Sequence, residues 1–112
     1  MNYLKYEDFL KVDIRVGTIT EAEISSGLKN PSIILKIDFG EHIGIKKSSA
    51  QILDNYEINK LINKQVAAVV NFPPKQIGKI ISEVLVLGFP DHNNKPVLFS
   101  PDLNIKNGGR LY

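Results

Sequence analysis

Along most of this chain apolar and polar side chains exchange every second residue, a period that predicts half-buried strands rather than helices. Val12, Ile14 and Val16 hold one phase, which slips across Gly17-Thr18 to Ile19. A glycine at such a slip predicts a bulge or sharp bend, as where a small sheet turns a corner. After the turn chemistry of Gly27-Leu28-Lys29-Asn30-Pro31, Ile33, Leu35, Ile37 and Phe39 alternate with Ile34, Lys36 and Asp38 and predict a second strand with one buried face. Gly40-Glu41-His42 predicts a tight return into a third strand, Ile43 to Ser48, so that the two form a hairpin.

Two stretches break the two-residue period. Lys5 to Lys11 has acids early, a lysine late and neighbouring apolar residues, the pattern of a short helix. Across residues 49–63, Ile52, Leu53, Tyr56, Ile58, Leu61 and Ile62 are spaced more like a helix than a strand and predict an irregular, partly helical connector. A fourth strand, Gln65 to Phe72, must end at Pro73-Pro74, which lack backbone donors and have a fixed φ. The loop Lys75 to Lys79, a fifth strand Ile80 to Phe89, a turn Pro90 to Pro96, a short arm Val97-Leu98-Phe99 and a Gly- and Asn-rich tail complete the chain. The order predicts an all-β fold: a five-stranded OB-fold barrel with a short N-terminal helix, a helical connector between strands 3 and 4, and a C-terminal hairpin extension.

A length of 112 residues with 43% hydrophobic content suits one domain, 1–112, and no linker composition divides it. Stability from so small a core would gain from pairing, so a homodimer is expected. Tyr3 to Leu10 and the tail carry apolar residues outside the five strands, which makes them candidate dimer contacts or arms packed on their own barrel. The absence of cysteine excludes disulfides and thiolate chemistry within the sequence and suits a reducing compartment. Met1 to Phe9 carries Glu7 and Asp8 with no apolar run of signal-peptide length, so a cytoplasmic location without membrane insertion is expected. Net charge is only +2, yet residues 44–81 hold six basic and two acidic side chains, an asymmetry that can form a local anion-attracting patch.

The supply of reactive groups argues against an enzyme. His42 and His92 both fall in polar turns without the spaced carboxylates or further histidines of a metal site. Ser48-Ser49 lacks the flanking glycines of a nucleophile elbow, and its ordinary role would be to cap the following connector. Asn107-Gly108-Gly109 neither links a strand to a helix nor precedes Lys-Ser or Lys-Thr, so it reads as a turn and not a phosphate loop. Asp13 and Arg15, two apart on one strand face, predict a structural ion pair. No catalytic residue, metal or cofactor is expected.

Three stretches instead place lysines, hydroxyls and amides at strand ends: Ile45 to Ile52, Val70 to Ile77 and Ile81 to Leu85. On a five-stranded barrel these belong near the usual ligand face. Lysines attract phosphate, amides and hydroxyls form hydrogen bonds, and Phe72 beside two prolines offers a rigid apolar surface to a base or a peptide side chain. The candidate polypeptide- or RNA-binding residues are Lys46, Ser48, Gln51, Asn71, Phe72, Pro73, Lys75, Lys79 and Ser82. The alternative for Phe72 is a core position, and for Asn71 a turn contact.

Five segments in order and spacing resemble the CsaA family: Lys11 to Ile19, Gly44 to Ile52, Leu61 to Val66, Val69 to Pro74 and Ser82 to Gly88. The likeness covers nearly the whole chain. It implies an OB-fold homodimer related to the tRNA-binding domains attached to some methionyl- and tyrosyl-tRNA synthetases, and a non-enzymatic chaperone that binds unfolded or export-destined polypeptides. It also implies, as the alternative, a module that recognises tRNA through a basic surface; by motif Lys46, Asn71, Lys75, Lys79 and Ser82 would lie there. The tRNA-binding relatives follow the serine–acid pair with Gly-Met where this chain has Val84-Leu85, whereas Asn71 to Pro74 and Lys47 to Gln51 follow the CsaA branch. That favours polypeptide as the ligand.

Overall fold

In the computed structural model, which describes residues 1–25 and 31–112, the alternating residues of the second predicted strand become the centre of the core. Strand β2 (Ser32–Asp38) buries Ile33, Leu35 and Ile37, and Phe39 follows them inward. Removing each such side chain from water contributes roughly 1.5–3 kcal/mol. The long strand β1 (Ile14–Ser25) pairs antiparallel with β2 along Thr18 to Ser25 and with β4 (Gln65–Val69) along Ile14 to Thr18. Strand β3 (Ile45–Ala50) is hairpinned to β2 through Gly40 and Gly44, both with the positive φ that glycine adopts freely. The sheet order is β3-β2-β1-β4-β7, with β7 spanning Leu85–Val86, so one curled antiparallel sheet has β3 and β7 as its edges.

Ile19, Val66, Ala68, Ile52, Leu61, Val84 and Leu98 pack with the β2 residues inside this curl. The connector closes one end of it, and its helical part is the single turn α2 (Ile58–Leu61), which buries Leu61. The N-terminal helix α1 (Tyr6–Leu10) buries no residue. Among the described residues no helix is long and apolar enough to cross a membrane. The turn expected at Gly27 to Pro31 falls, apart from Pro31, outside the described residues.

Several local expectations are corrected. The irregularity in β1 lies at Thr20, between Ile19 and Glu21, not at Gly17, which pairs in register with Val66. Gly17 is required by packing instead: a Cβ there would stand 2.6 Å from Ile37 Cγ2 and 2.7 Å from Phe39 Cδ1. The fourth strand ends at Val69 rather than Phe72. Val70 still donates to the Asp13 carbonyl, after which the Asn71 side chain takes over the backbone's role, accepting from Asp13 N–H and donating to the Lys11 carbonyl.

The loop expected over Lys75 to Lys79 is mostly hairpin. Strands β5 (Lys75–Ile77) and β6 (Ile80–Ser82) enclose a two-residue turn whose first residue, Gly78, has φ +60°, the geometry of a type II′ turn. The single strand expected over Ile80 to Phe89 is divided into β6, β7 and β8 (Gly88–Pro90), because Glu83 turns aside toward β3. Strand β8 pairs with β9 (Pro96–Leu98) as the expected C-terminal arm. The tail then runs back along β1: Val16 N–H donates to the Gly109 carbonyl, Gly108 N–H to the Val16 carbonyl and Leu111 N–H to the Ile14 carbonyl. The expected Asp13–Arg15 pair is present at 2.6 Å.

Candidate polypeptide or nucleic-acid interface

Where the chain leaves the sheet at Pro73-Pro74 and returns through the β5–β6 hairpin, it encloses a groove of about 350 Å³. Ser49, Phe72, Pro73, Lys75, Ile77, Ser82, Glu83, Val84 and Leu85 line it. Three distant parts of the sequence meet there: the end of β3, the proline corner, and the segment joining β6 to β7. Its walls are mostly apolar and open to solvent. Phe72 is 54% exposed and Leu85 50% exposed, and neither is needed to fill the core. The core alternative for Phe72 is therefore not realised.

Of the residues singled out from sequence, Phe72, Pro73, Lys75 and Ser82 share this groove, and the other five do not line it. Lys79, at the hairpin turn, borders an adjoining groove with Lys47, Ile80, Ile81 and Glu83. Lys46 points its ammonium to within 4.0 Å of the Glu83 carboxylate. Ser48 is buried opposite Leu35 and forms no cap: the N-cap position of α2 is Glu57, with no side-chain cap. Gln51 is exposed just beyond the end of β3. Asn71 is exposed, but both ends of its amide bond the backbone of residues 11 and 13, as the turn-contact alternative has it.

Sequence reasoning included Lys47, Ser49, Ile77, Glu83, Val84 and Leu85 in its three strand-end stretches but did not name them among the candidate binding residues. Ile77 and Leu85 look like ordinary strand residues until the hairpin leaves them partly open, while Val84 is buried and reaches the groove from the core. Glu83 did carry a signal, as a lone acid between the apolar pairs Ile80-Ile81 and Val84-Leu85. Its carboxylate Oε1 accepts from Lys47 N–H at 3.0 Å, and its own N–H donates to the Lys47 carbonyl at 2.8 Å. His42 and His92 are exposed in turns, and among the described residues no three His, Cys, Asp or Glu side chains are grouped to hold a metal ion.

The family model described as "Putative tRNA binding domain" matches residues 9–110. The chain belongs to the CsaA-like tRNA-binding-domain family. Its structure resembles that of the chaperone CsaA from Bacillus anthracis strain Ames, with a TM-score of 0.91 and 45% identity, covering 99% of this chain and 100% of that one. It is equally similar to the CsaA chaperone protein of Picrophilus torridus, with a TM-score of 0.90 and 47% identity over 98% and 100% of the two chains. A methionine–tRNA ligase of Flavobacterium johnsoniae is 31% identical over 108 residues, 96% of this chain. The chain spans only 15% of that ligase's length. The five segments that suggested the family from sequence include the ends of β3, β4 and β6, which border the groove.

Proposed function

We propose that this family member is a non-enzymatic, cytoplasmic chaperone that holds unfolded or export-destined polypeptide, working as a homodimer of single-domain subunits. The observation that carries the reading is the meeting of Phe72, Pro73, Ile77, Val84 and Leu85 in one open groove rimmed by Lys75. An apolar slot with a few polar groups suits an extended chain, whose side chains enter the slot while its backbone stays hydrated. Pairing of two subunits would join two weak sites into one more avid surface. The exposed apolar residues Tyr3, Leu4, Tyr6 and Leu10 support that pairing, because they pack on nothing in their own subunit's core. No cofactor is needed for such holding.

The test is a titration of purified protein against an unfolded client and short extended peptides, read by aggregation kinetics and by fluorescence anisotropy. Slowed aggregation with micromolar peptide binding is expected. Failure of both at those concentrations overturns the reading.

The family match and the exposed lysines favour a second reading, a tRNA-binding module. Lys47 and Lys79 border one groove and Lys75 the next, so a phosphate backbone crossing the hairpin would meet all three. Affinity for tRNA would then fall steeply with salt as counterions are released, by a slope of about −0.7 to −0.9 per neutralised phosphate. A flat salt dependence, or no loss on changing the three lysines to alanine, excludes it.

A further inference from the structure

Around the curl the strands are joined by backbone ladders, except where β3 meets residues 82–84. There a single backbone hydrogen bond is supplemented by side chains. Ser82 Oγ accepts from Ser49 N–H at 3.2 Å and donates to the Val84 carbonyl at 3.3 Å. One residue on, Glu83 takes the Lys47 amide on its carboxylate and gives its own N–H to the Lys47 carbonyl. Two successive residues thus occupy the positions a neighbouring strand would fill, and they do so at the floor of the candidate groove.

We infer that Ser82 and Glu83 are positioning residues: a polar latch that stands in for the missing ladder and fixes the distance between β3 and the groove wall carrying Leu85. The inference rests on the groove being the binding site, and it assigns these two side chains a role other than touching the ligand. The Ser82 hydroxyl and one carboxylate oxygen of Glu83 are spent on the protein's own groups. Ser82 is 9% exposed with its hydroxyl both donating and accepting. The charge on Glu83 is the lesser part of its action, since its pairing with Lys46 spans 4.0 Å between groups about one-third exposed, a geometry that contributes little. The hydrogen bond to a backbone amide at 3.0 Å is the part that holds.

That ranking separates two variants. Glu83→Gln keeps an acceptor for Lys47 N–H and removes the charge, whereas Glu83→Ala removes both. Peptide affinity is expected to fall about tenfold in Glu83→Ala, with both variants shown folded by circular dichroism. Hydrogen exchange of the Lys47 amide gives a readout independent of any client, and should quicken by about tenfold or more in Glu83→Ala while Glu83→Gln stays near wild type. Ser82→Ala should do the same at the Ser49 amide. Unchanged exchange at Lys47 in Glu83→Ala overturns the latch, as does equally quickened exchange in the two Glu83 variants. If the wild-type protein binds no peptide at all, it is the chaperone reading that fails, and the exchange measurements still decide the latch.

Discussion

The two seams of the curled sheet are built differently. Along β1 the backbone is engaged with three partners: β4 over residues 14–18, β2 over residues 18–25, and the tail at residues 14–16. Beneath that seam Ile19, Leu35, Ile37 and Val66 are fully buried. At the β3 seam one backbone hydrogen bond and a few side-chain bonds join the edges, and the apolar residues beside it, Phe72, Ile81 and Leu85, are half open to water. Stability and exposure have been assigned to opposite sides. Segments with little buried area and few ladder bonds open at lower free energy than the core, which suits a surface that must accept varied ligands.

The severest way to break this contrast is to empty the rigid side. Leu35 is fully buried and paired with Ala22 on one side and Ser48 on the other, so Leu35→Ala removes core contacts shared by three strands. It is expected to cost about 2–5 kcal/mol of unfolding free energy, measured by urea denaturation. A loss below about 1 kcal/mol would mean that this centre is not close-packed. The corresponding change on the open side should have the reverse profile. Phe72→Ala is expected to alter stability by less than about 0.5 kcal/mol, because the ring is already half solvated. Its effect should fall on binding, with client affinity reduced about tenfold, as for an aromatic anchor at the centre of a contact. Destabilisation comparable with that of Leu35→Ala would erase the distinction between the seams.

The same contrast explains what the sequence could disclose. The buried face of β2 was legible because Ile33, Leu35, Ile37 and Phe39 follow a strict two-residue period, and nothing in the tertiary structure competes with it. The proline stop after β4 was legible because Pro73-Pro74 remove donors from the backbone itself. Gly17 was noticed for the wrong reason: a missing Cβ has the same appearance in a sequence whether it permits a bulge or makes room for Ile37 and Phe39. The groove was legible only in part. Phe72, Pro73, Lys75 and Ser82 come together there, but Asn71 and Ser82 are polar residues whose partners lie far along the chain, at residues 11, 13 and 49. No local pattern distinguishes a polar side chain facing a ligand from one replacing a strand.

A third region, the β8–β9 arm, yields the smallest expected effect and tests whether its anchoring is independent of both seams. Asp91 Oδ1 accepts from the backbone amides of Asn93 and Lys95, and Oδ2 from the Asn55 side chain, which ties the arm's turn to the connector. The Lys95 amide, then the Asn55 and Asn93 donors, hold the Asp91 carboxyl below its ordinary value. A carboxylate that binds its proton more weakly folded than unfolded stabilises the fold at any pH above its unfolded range, and this stabilisation is lost as pH falls through the lowered folded pKa. Because the group is solvent-screened, the expected change is a slight fall in melting temperature on acidification, removed in Asp91→Asn. Chemical-shift titration should show the Asn93 and Lys95 amides following the same transition while Ser49, whose amide bonds the Ser82 hydroxyl, and Val16, one in each seam, do not. Should Ser49 or Val16 titrate with Asp91, the arm and the barrel would have to be treated as one cooperative unit.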